Sequence, residues 1–442
     1  MKTNATLSVL PTRWSKSCHP LSDETLKKTA ISVVIISVIV QIFVMIYYWD
    51  VPLYSDAGSY IERAKKCYMQ GTWYPNSDNI YDYYIWSLGN INWLILQLKL
   101  FGTTAYNAVF NLLFELGIVF NIYYISNFFF TKRVSYVSIA LYSILYSNLI
   151  IVVPTLTQLP YLLLVISAFS LCLKPTFIKL FLAGVLFTLG NSVRPLAVLF
   201  LISSVVYLIF FYRLKYKYYF SLLISISLCV VLIGCWTYKN TGHFIYQSST
   251  SGYNLIMVAN DEATGGVINV FGPNDAGWIE NADKVTYEEK DKIFRERAVA
   301  WIIDNPGKYI LGYFKRLFLL YVEDAWSDRY FAPHITLGEI GRQNGFTVEF
   351  IVENIIPRIL KGTCYYIVLF LGICSLFSMR KEDWKSSKIV LLLLFVLGTC
   401  ATCIFPPCAA YHHPYVFIIV IWAAWYIEKL VGKTGFKSKE VK

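Results

Sequence analysis

A chain of 442 residues that is 56% hydrophobic and 15% charged, with a mean hydropathy of +0.51, is too apolar for an ordinary soluble domain, where about a quarter of residues are charged. Its net charge of +11 invites a nucleic-acid reading, but the basic residues are segregated as membrane proteins segregate them, which argues against that partner. The 17% of aromatic residues fit rings that face lipid tails with polar tips at the headgroups, so membrane lipids are the first partner implied.

Residues 1–29 read as a cytoplasmic tail, and the apolar run Ala30 to Trp49 has the ~20 residues a bilayer-crossing helix requires. That run is too long for a signal-peptide core and no small-residue cleavage site follows, so it reads as an uncleaved first span. Beyond it, Ala57 to Gln70 reads as an amphipathic helix and the Asn-broken segment Trp86 to Phe101 as lying along the interface. Apolar segments follow at about 105–130, 134–153, 156–173, 177–193, 195–211, 219–238, 359–378, 388–405 and 415–431, making ten expected spans. The expected fold is an all-α polytopic membrane protein.

Alternate connections are basic: Lys132-Arg133, Lys174 with Lys179, Arg213 to Lys217, Arg380 to Lys388 and the Lys-rich tail. Placing these and the N-terminus on one side puts 21 of the 39 Lys and Arg there with 6 of the 28 Asp and Glu, a balance of +15 against −4 elsewhere. The positive-inside rule makes the basic side cytoplasmic, with both termini there. The chain then divides into a tail (1–29), a membrane domain of seven spans (30–238) with an outer loop at 50–104, a small mixed extracytoplasmic segment (239–358), three further spans (359–431) and a tail (432–442). In the extracytoplasmic segment, Gly252 to Gly277 reads as a loop, Glu288 to Ile303 as a helix ended by Asn305-Pro306, and Pro306 to Val322 as interfacial.

Four polar features on the outer side are not explained by lipid contact. Tyr54-Ser-Asp56-Ala-Gly-Ser-Tyr60 sets a carboxylate at the membrane surface, where it can cap a helix beginning near Ala57 or accept a proton from an incoming hydroxyl. Arg194-Pro195 sets a guanidinium at an outer turn, where it either snorkels or forks a phosphate. Trp236, Lys239, Asn240 and, further on, Asn254 form a hydrogen-bonding run that leaves the membrane, with glycines allowing close approach. Tyr411-His412-His413-Pro414 opens the last span; the paired histidines suit interface packing or phosphate contact better than a metal. Cys400, Cys403 and Cys408 have metal-like spacing but no matching second pair, and they read as packing residues.

The order of these elements resembles the GT-C membrane glycosyltransferases, in particular the branch of dolichyl-phosphate-mannose protein mannosyltransferases and aminoarabinose transferases. Tyr54, Asp56, Tyr60, Ala64 and Gly71 match the family's acidic motif after the first span. Gly190 to Pro195 resembles its Gly, small residue, Arg-Pro element, and Trp236 to Asn240 with Gly242, Gly252 and Asn254 its Trp, Arg-Asn, Gly, Gly-Asn-Leu element. Ala298 to Pro306 resembles its outer Ala, Ile, Asn-Pro helix, and Tyr411 to Pro414 stands where it has Arg-Tyr and Pro.

The resemblance implies sugar transfer from a polyprenyl-phosphate donor to a lipid, glycan or protein acceptor at the outer face of a bacterial inner membrane. Asp56 would be the general base; Arg194, Lys239, His412 and His413 would meet the donor phosphate; and Tyr54, Tyr60, Gln158, Trp236, Asn240, Asn254 and Tyr411 would line the substrates. Many relatives carry a second carboxylate before the fourth span, where this chain has Gln158. An amide is no anionic ligand, which argues against a divalent metal cofactor. Two other classes compete: a transporter or flippase, for which Glu115 in the second span is the buried charge, and a polymerase or ligase of surface polysaccharide.

Overall fold

The computed structural model describes residues 21–49, 51–266, 268–331, 347 and 351–432. The outer parts of both expected tails, 1–20 and 433–442, and most of 332–350 in the expected outer segment lie outside the described residues. Among the described residues every regular element is helical and no strand occurs, so the segment expected to be mixed is helical where it is described.

The first helix, α1 (Asp23–Tyr47), starts on Ser22, whose side chain accepts the Thr25 N–H, and Asp23 and Glu24 in its first turn suit the helix dipole. It turns Ile35, Ile36, Phe43 and Ile46 outward and buries Ser37 and Gln41. Those two donate to the carbonyls of Ser143 (2.7 Å) and Asn148 (2.9 Å). Two shorter helices follow, α2 (Ser55–Met69) and α3 (Leu88–Phe101). Gly102, at φ +72°, ends α3 in the left-handed turn that glycine adopts without penalty.

Next come α4 (Asn107–Phe129), α5 (Lys132–Ser143), α6 (Tyr146–Ile150), α7 (Gln158–Leu173), α8 (Phe177–Val193), α9 (Ala197–Val206) and α10 (Lys217–Thr241). The outer segment holds α11 (Ser251–Ile256), α12 (Tyr287–Asp304) and α13 (Pro306–Tyr321). On α13 the side chains of Ile310, Leu311, Phe314 and Phe318 are exposed along one face, the stripe of an amphipathic surface helix. The stretch expected to be a loop from Gly252 begins as α11, which packs on α12.

Among the described residues four helices are long and apolar enough to cross a membrane: α1, α4, most of α10, and His413–Gly432. A fifth is formed if Ile351–Lys361 and Thr363–Phe377, bent by 54°, count together. Four other expected spans, at 156–173, 177–193, 195–211 and 388–405, are apolar helices of 10–17 residues. The expected span 134–153 is not one helix: the chain extends at Leu145 (ψ 134°), and α5 and α6 are separate. Its polar residues, Ser135, Ser138, Ser143, Ser147 and Asn148, are spread along the run rather than gathered at Leu145, so composition does not reveal the break.

The last helix, His413–Gly432, has Pro414 through Ala424 buried, and it packs against α5 and Thr363–Phe377. A helix apolar on all sides belongs in the centre of a bundle. Around it α7 packs against α4 and α8, and α8 against α10. Gly184 permits that last contact, because a Cβ there would stand 2.8 Å from the Leu222 carbonyl oxygen.

Candidate active site

The site begins where α1 gives way to α2. The Tyr54 N–H donates to the Tyr330 carbonyl (3.0 Å), and Ser55 takes φ +56°, a left-handed conformation that costs about 1–3 kcal/mol in a residue with a side chain. The helix cap is Tyr54, so Asp56 lies in the first turn rather than at the capping position considered from sequence. A first-turn carboxylate is favoured by the helix dipole and leaves its oxygens to other partners. Gly58 allows the turn to fold back, since a Cβ would lie 2.5 Å from the Leu53 carbonyl oxygen. Helical spacing then puts Asp56, Tyr60, Arg63 and Cys67 on one face of α2.

Other elements are locked against that face. Ser87, the cap of α3, donates to the Val193 carbonyl at 2.7 Å, which fixes the end of α8. Asn191 donates to Gln247 at 2.7 Å, tying the same end to the outer segment. Arg194 follows immediately as the C-cap of α8. Its guanidinium carbon sits 4.7 Å from the centre of the Tyr411 ring, and its buried Nη1 has no hydrogen-bond partner among the described residues.

Tyr411 is the meeting point. Its phenol is coupled electrostatically to Asp56, Arg194 and Arg329, and burial followed by the Asp56 charge pushes it up to about 12. Tyr60 is coupled to both Asp56 and Arg194; burial, then Asp56, holds its phenol well above the ordinary value. Both tyrosines therefore remain protonated donors at neutral pH. The neighbouring Gln158, first residue of α7, is buried with its Oε1 unpartnered among the described residues.

Arg329 was not singled out from sequence. It belongs to the short helical turn Ala325–Tyr330, donates to the Tyr330 hydroxyl at 2.8 Å and feels the charge of Asp56. Cys408 is buried in the same cluster, coupled to Arg329 and Asp56. The only sequence signal for Arg329 was a mixed charged and aromatic stretch, Glu323 to Tyr330, between apolar helices.

Each ring of the histidine pair is held through one nitrogen, while His412 Nε2 and His413 Nδ1 are buried without a hydrogen-bond partner among the described residues. His412 is stacked between Tyr321 (5.5 Å) and Tyr365 (5.2 Å), with Nδ1 2.6 Å from the Leu320 carbonyl. The Nε2 of His413 lies 2.9 Å from Asn148 Oδ1, and both rings are buried. Lys239 is exposed near the end of α10 and shares none of the contacts above, while Trp236, Asn240 and Asn254 are half-buried. The inward groups of that helix end are Thr237 and Thr241; Thr237 bonds both the N–H and the carbonyl of Ile245. Tyr54 is half-buried and enters through its backbone.

Among the described residues no three His, Cys, Asp or Glu side chains group as ligands. The cations coupled to the Asp56 cluster are the guanidinium groups of Arg194 and Arg329.

No protein-family model matches the sequence, and no curated protein matches it. Solved structures do. The archaeal oligosaccharyltransferase AglB from Archaeoglobus fulgidus, in complex with an inhibitory peptide and a dolichol-phosphate, is similar at 11% identity and a TM-score of 0.45, over 93% of this chain and 53% of that one. The same oligosaccharyltransferase in complex with Zn and sulfate is similar at 12% identity and a TM-score of 0.42, over 91% and 50%. The chain thus spans about half the length of these proteins. ArnT from Cupriavidus metallidurans in the apo state is similar at 11% identity and a TM-score of 0.44, over 92% of this chain and 62% of that one.

Proposed function

We propose that the chain is a membrane glycosyltransferase that moves a sugar from a polyprenyl-phosphate donor to a lipid, glycan or protein acceptor at the extracytoplasmic face. The observation that carries this reading is the Arg194 guanidinium, packed 4.7 Å from the centre of the Tyr411 ring with a buried Nη1 that has no hydrogen-bond partner among the described residues, beside a phenol that also feels the charges of Asp56 and Arg329. One carboxylate and two guanidinium groups around protonated phenols suit a reaction in which a proton leaves one substrate and negative charge grows on another.

Asp56 takes the proton of the acceptor hydroxyl as its oxygen attacks the anomeric carbon, and the bond from that carbon to the phosphate oxygen breaks in line, inverting the centre. The electron pair leaves with polyprenyl phosphate, which gains a charge. Arg194 and Arg329 neutralise that charge, Arg194 through its unpartnered Nη1. His412 and His413, each held through one ring nitrogen with the other unpartnered among the described residues, pack the start of the last helix. The charge balance of +15 against −4 supports a cytoplasmic position for both termini, which sets Asp56 on the outer side.

Lipid extracted from the purified protein and analysed by mass spectrometry tests the donor class. A polyprenyl-phosphate sugar, or the polyprenyl phosphate left after transfer, is expected. Recovery of ordinary phospholipid alone from protein purified in mild detergent would count against this donor.

A transporter or flippase is the competing reading, and Glu115 favours it. That side chain is buried in α4 with neither carboxylate oxygen hydrogen-bonded among the described residues, the kind of intramembrane charge that marks a pathway. A polysaccharide polymerase or ligase differs from the first reading only in transferring an oligosaccharide.

A further inference from the structure

Beside Asp56 stands a row of aromatic rings that the transfer chemistry does not use. Tyr84 lies 4.4 Å from Tyr253 and 5.1 Å from Trp86, centre to centre. Tyr253 is backed by Phe271, stacked at 4.4 Å with 7° between the planes. At the other end Trp86 meets the edge of Tyr60 at 5.3 Å and carries Arg63 at 4.7 Å. Tyr60, Tyr84, Trp86 and Tyr253 are all half-buried, so none has lost its whole surface to packing. Tyr60 follows Asp56 by one turn on the same face of α2 and touches Trp86, which puts that end of the row next to the proposed base; the phenols of Tyr60, Tyr84 and Tyr253 also feel the Asp56 charge.

The row is also held rigidly, although it is built from chain segments far apart in sequence. Ser249 N–H donates to the Ile85 carbonyl (3.0 Å), and Ile85 N–H donates to the Ser249 hydroxyl (3.3 Å). The Trp86 N–H donates to the Tyr74 hydroxyl at 2.8 Å. Lys290, buried on α12, donates to the carbonyls of Tyr81 (2.6 Å) and Asp82 (3.2 Å). On the far side Gly252 N–H donates to Asp291 at 2.6 Å. An ordinary core cluster needs no such clamps at its exposed rim; a binding surface gains from them because its rings need not be ordered on binding.

We propose that Tyr84, Trp86 and Tyr253 form a sugar-binding wall that seats the donor's pyranose ring beside Asp56. A pyranose presents a face of C–H groups, which packs on aromatic rings, and a rim of hydroxyls, which phenols can bond. The wall extends the transferase reading and rests on it, naming the residues that select the sugar as distinct from those that hold the phosphate.

Equilibrium binding to protein in nanodiscs separates the two. The probes are undecaprenyl phosphate and its mannosyl, glucosyl and aminoarabinosyl derivatives. Wild type should bind at least one sugar lipid about tenfold more tightly than bare undecaprenyl phosphate. Tyr84→Ala and Tyr253→Ala should each cut that preference to about twofold while leaving affinity for the bare lipid unchanged, which also shows that the variants fold. Tyr84→Phe, keeping the ring, should retain most of it. No preference for any of the three sugars in wild type, or full preference in both alanine variants, overturns the wall and leaves the transferase reading standing. Binding of none of the four lipids overturns both.

Discussion

Replacing Asp56 with Asn is expected to lower the turnover of sugar transfer by roughly 10²–10⁴-fold, the usual contribution of a positioned general base, with the KM for donor lipid little changed. Asparagine keeps the size and first-turn position of the aspartate but cannot take up a proton. The entry to α2 is held by the bond from Tyr54 to Tyr330 and by the tight turn at Gly58, neither of which uses the carboxylate, so the variant should insert and fold normally. Transfer from a labelled polyprenyl-phosphate sugar measures it. Activity within twofold of wild type would remove Asp56 from the chemistry.

Arg194→Ala should lower kcat/KM by roughly 10²–10³-fold, the scale seen when one group that stabilises a developing oxyanion is removed. Both parameters should move, because the phosphate is anionic before the reaction and more so after it. Arg194→Lys should recover only part of the loss, since an ammonium supplies charge without the planar fork. An unchanged donor KM in the alanine variant would place Arg194 outside the phosphate site. The packing of the guanidinium on Tyr411 would then be its whole role.

Much of this site was legible in sequence for a specific reason. Asp56, Tyr60, Arg194 and Tyr411 are polar or aromatic residues at the ends of apolar runs, where lipid gives them no reason to be, and the structure couples them. Arg329 escaped notice because residues 323–331 carry no periodicity and look like an ordinary polar connection. Only folding brings that turn back onto the Tyr54 backbone. The aromatic row was hidden for a similar reason: Tyr84 and Tyr253 are 169 residues apart in number, and an abundance of aromatics had already been assigned to the membrane interface.

The histidines lie deeper than the sequence suggests. Their position before the last apolar run suggested an outer surface, but α13 and Thr363–Phe377 cover that helix start, placing Tyr321 and Tyr365 on either side of His412. For Lys239, distance along the chain was a poor guide because helical rotation turns Thr237 and Thr241 inward and leaves the lysine exposed. The span count depended on treating each apolar run as one helix. At Leu145 the backbone extends and separates α5 from α6 within a single run, which a hydropathy window cannot detect.

The proposed reaction moves a sugar from a polyprenyl phosphate to an acceptor with Asp56 as base. Its most direct measurement follows a labelled sugar, supplied on polyprenyl phosphate, in membranes of the source cell with and without the protein. Label should pass into a lipid, glycan or protein fraction only when the protein is present, with one polyprenyl phosphate released per sugar moved, and should fail to do so with the Asp56→Asn form. Label that stays on its lipid, or crosses the membrane with its bond to phosphate intact, would contradict the account and favour transport.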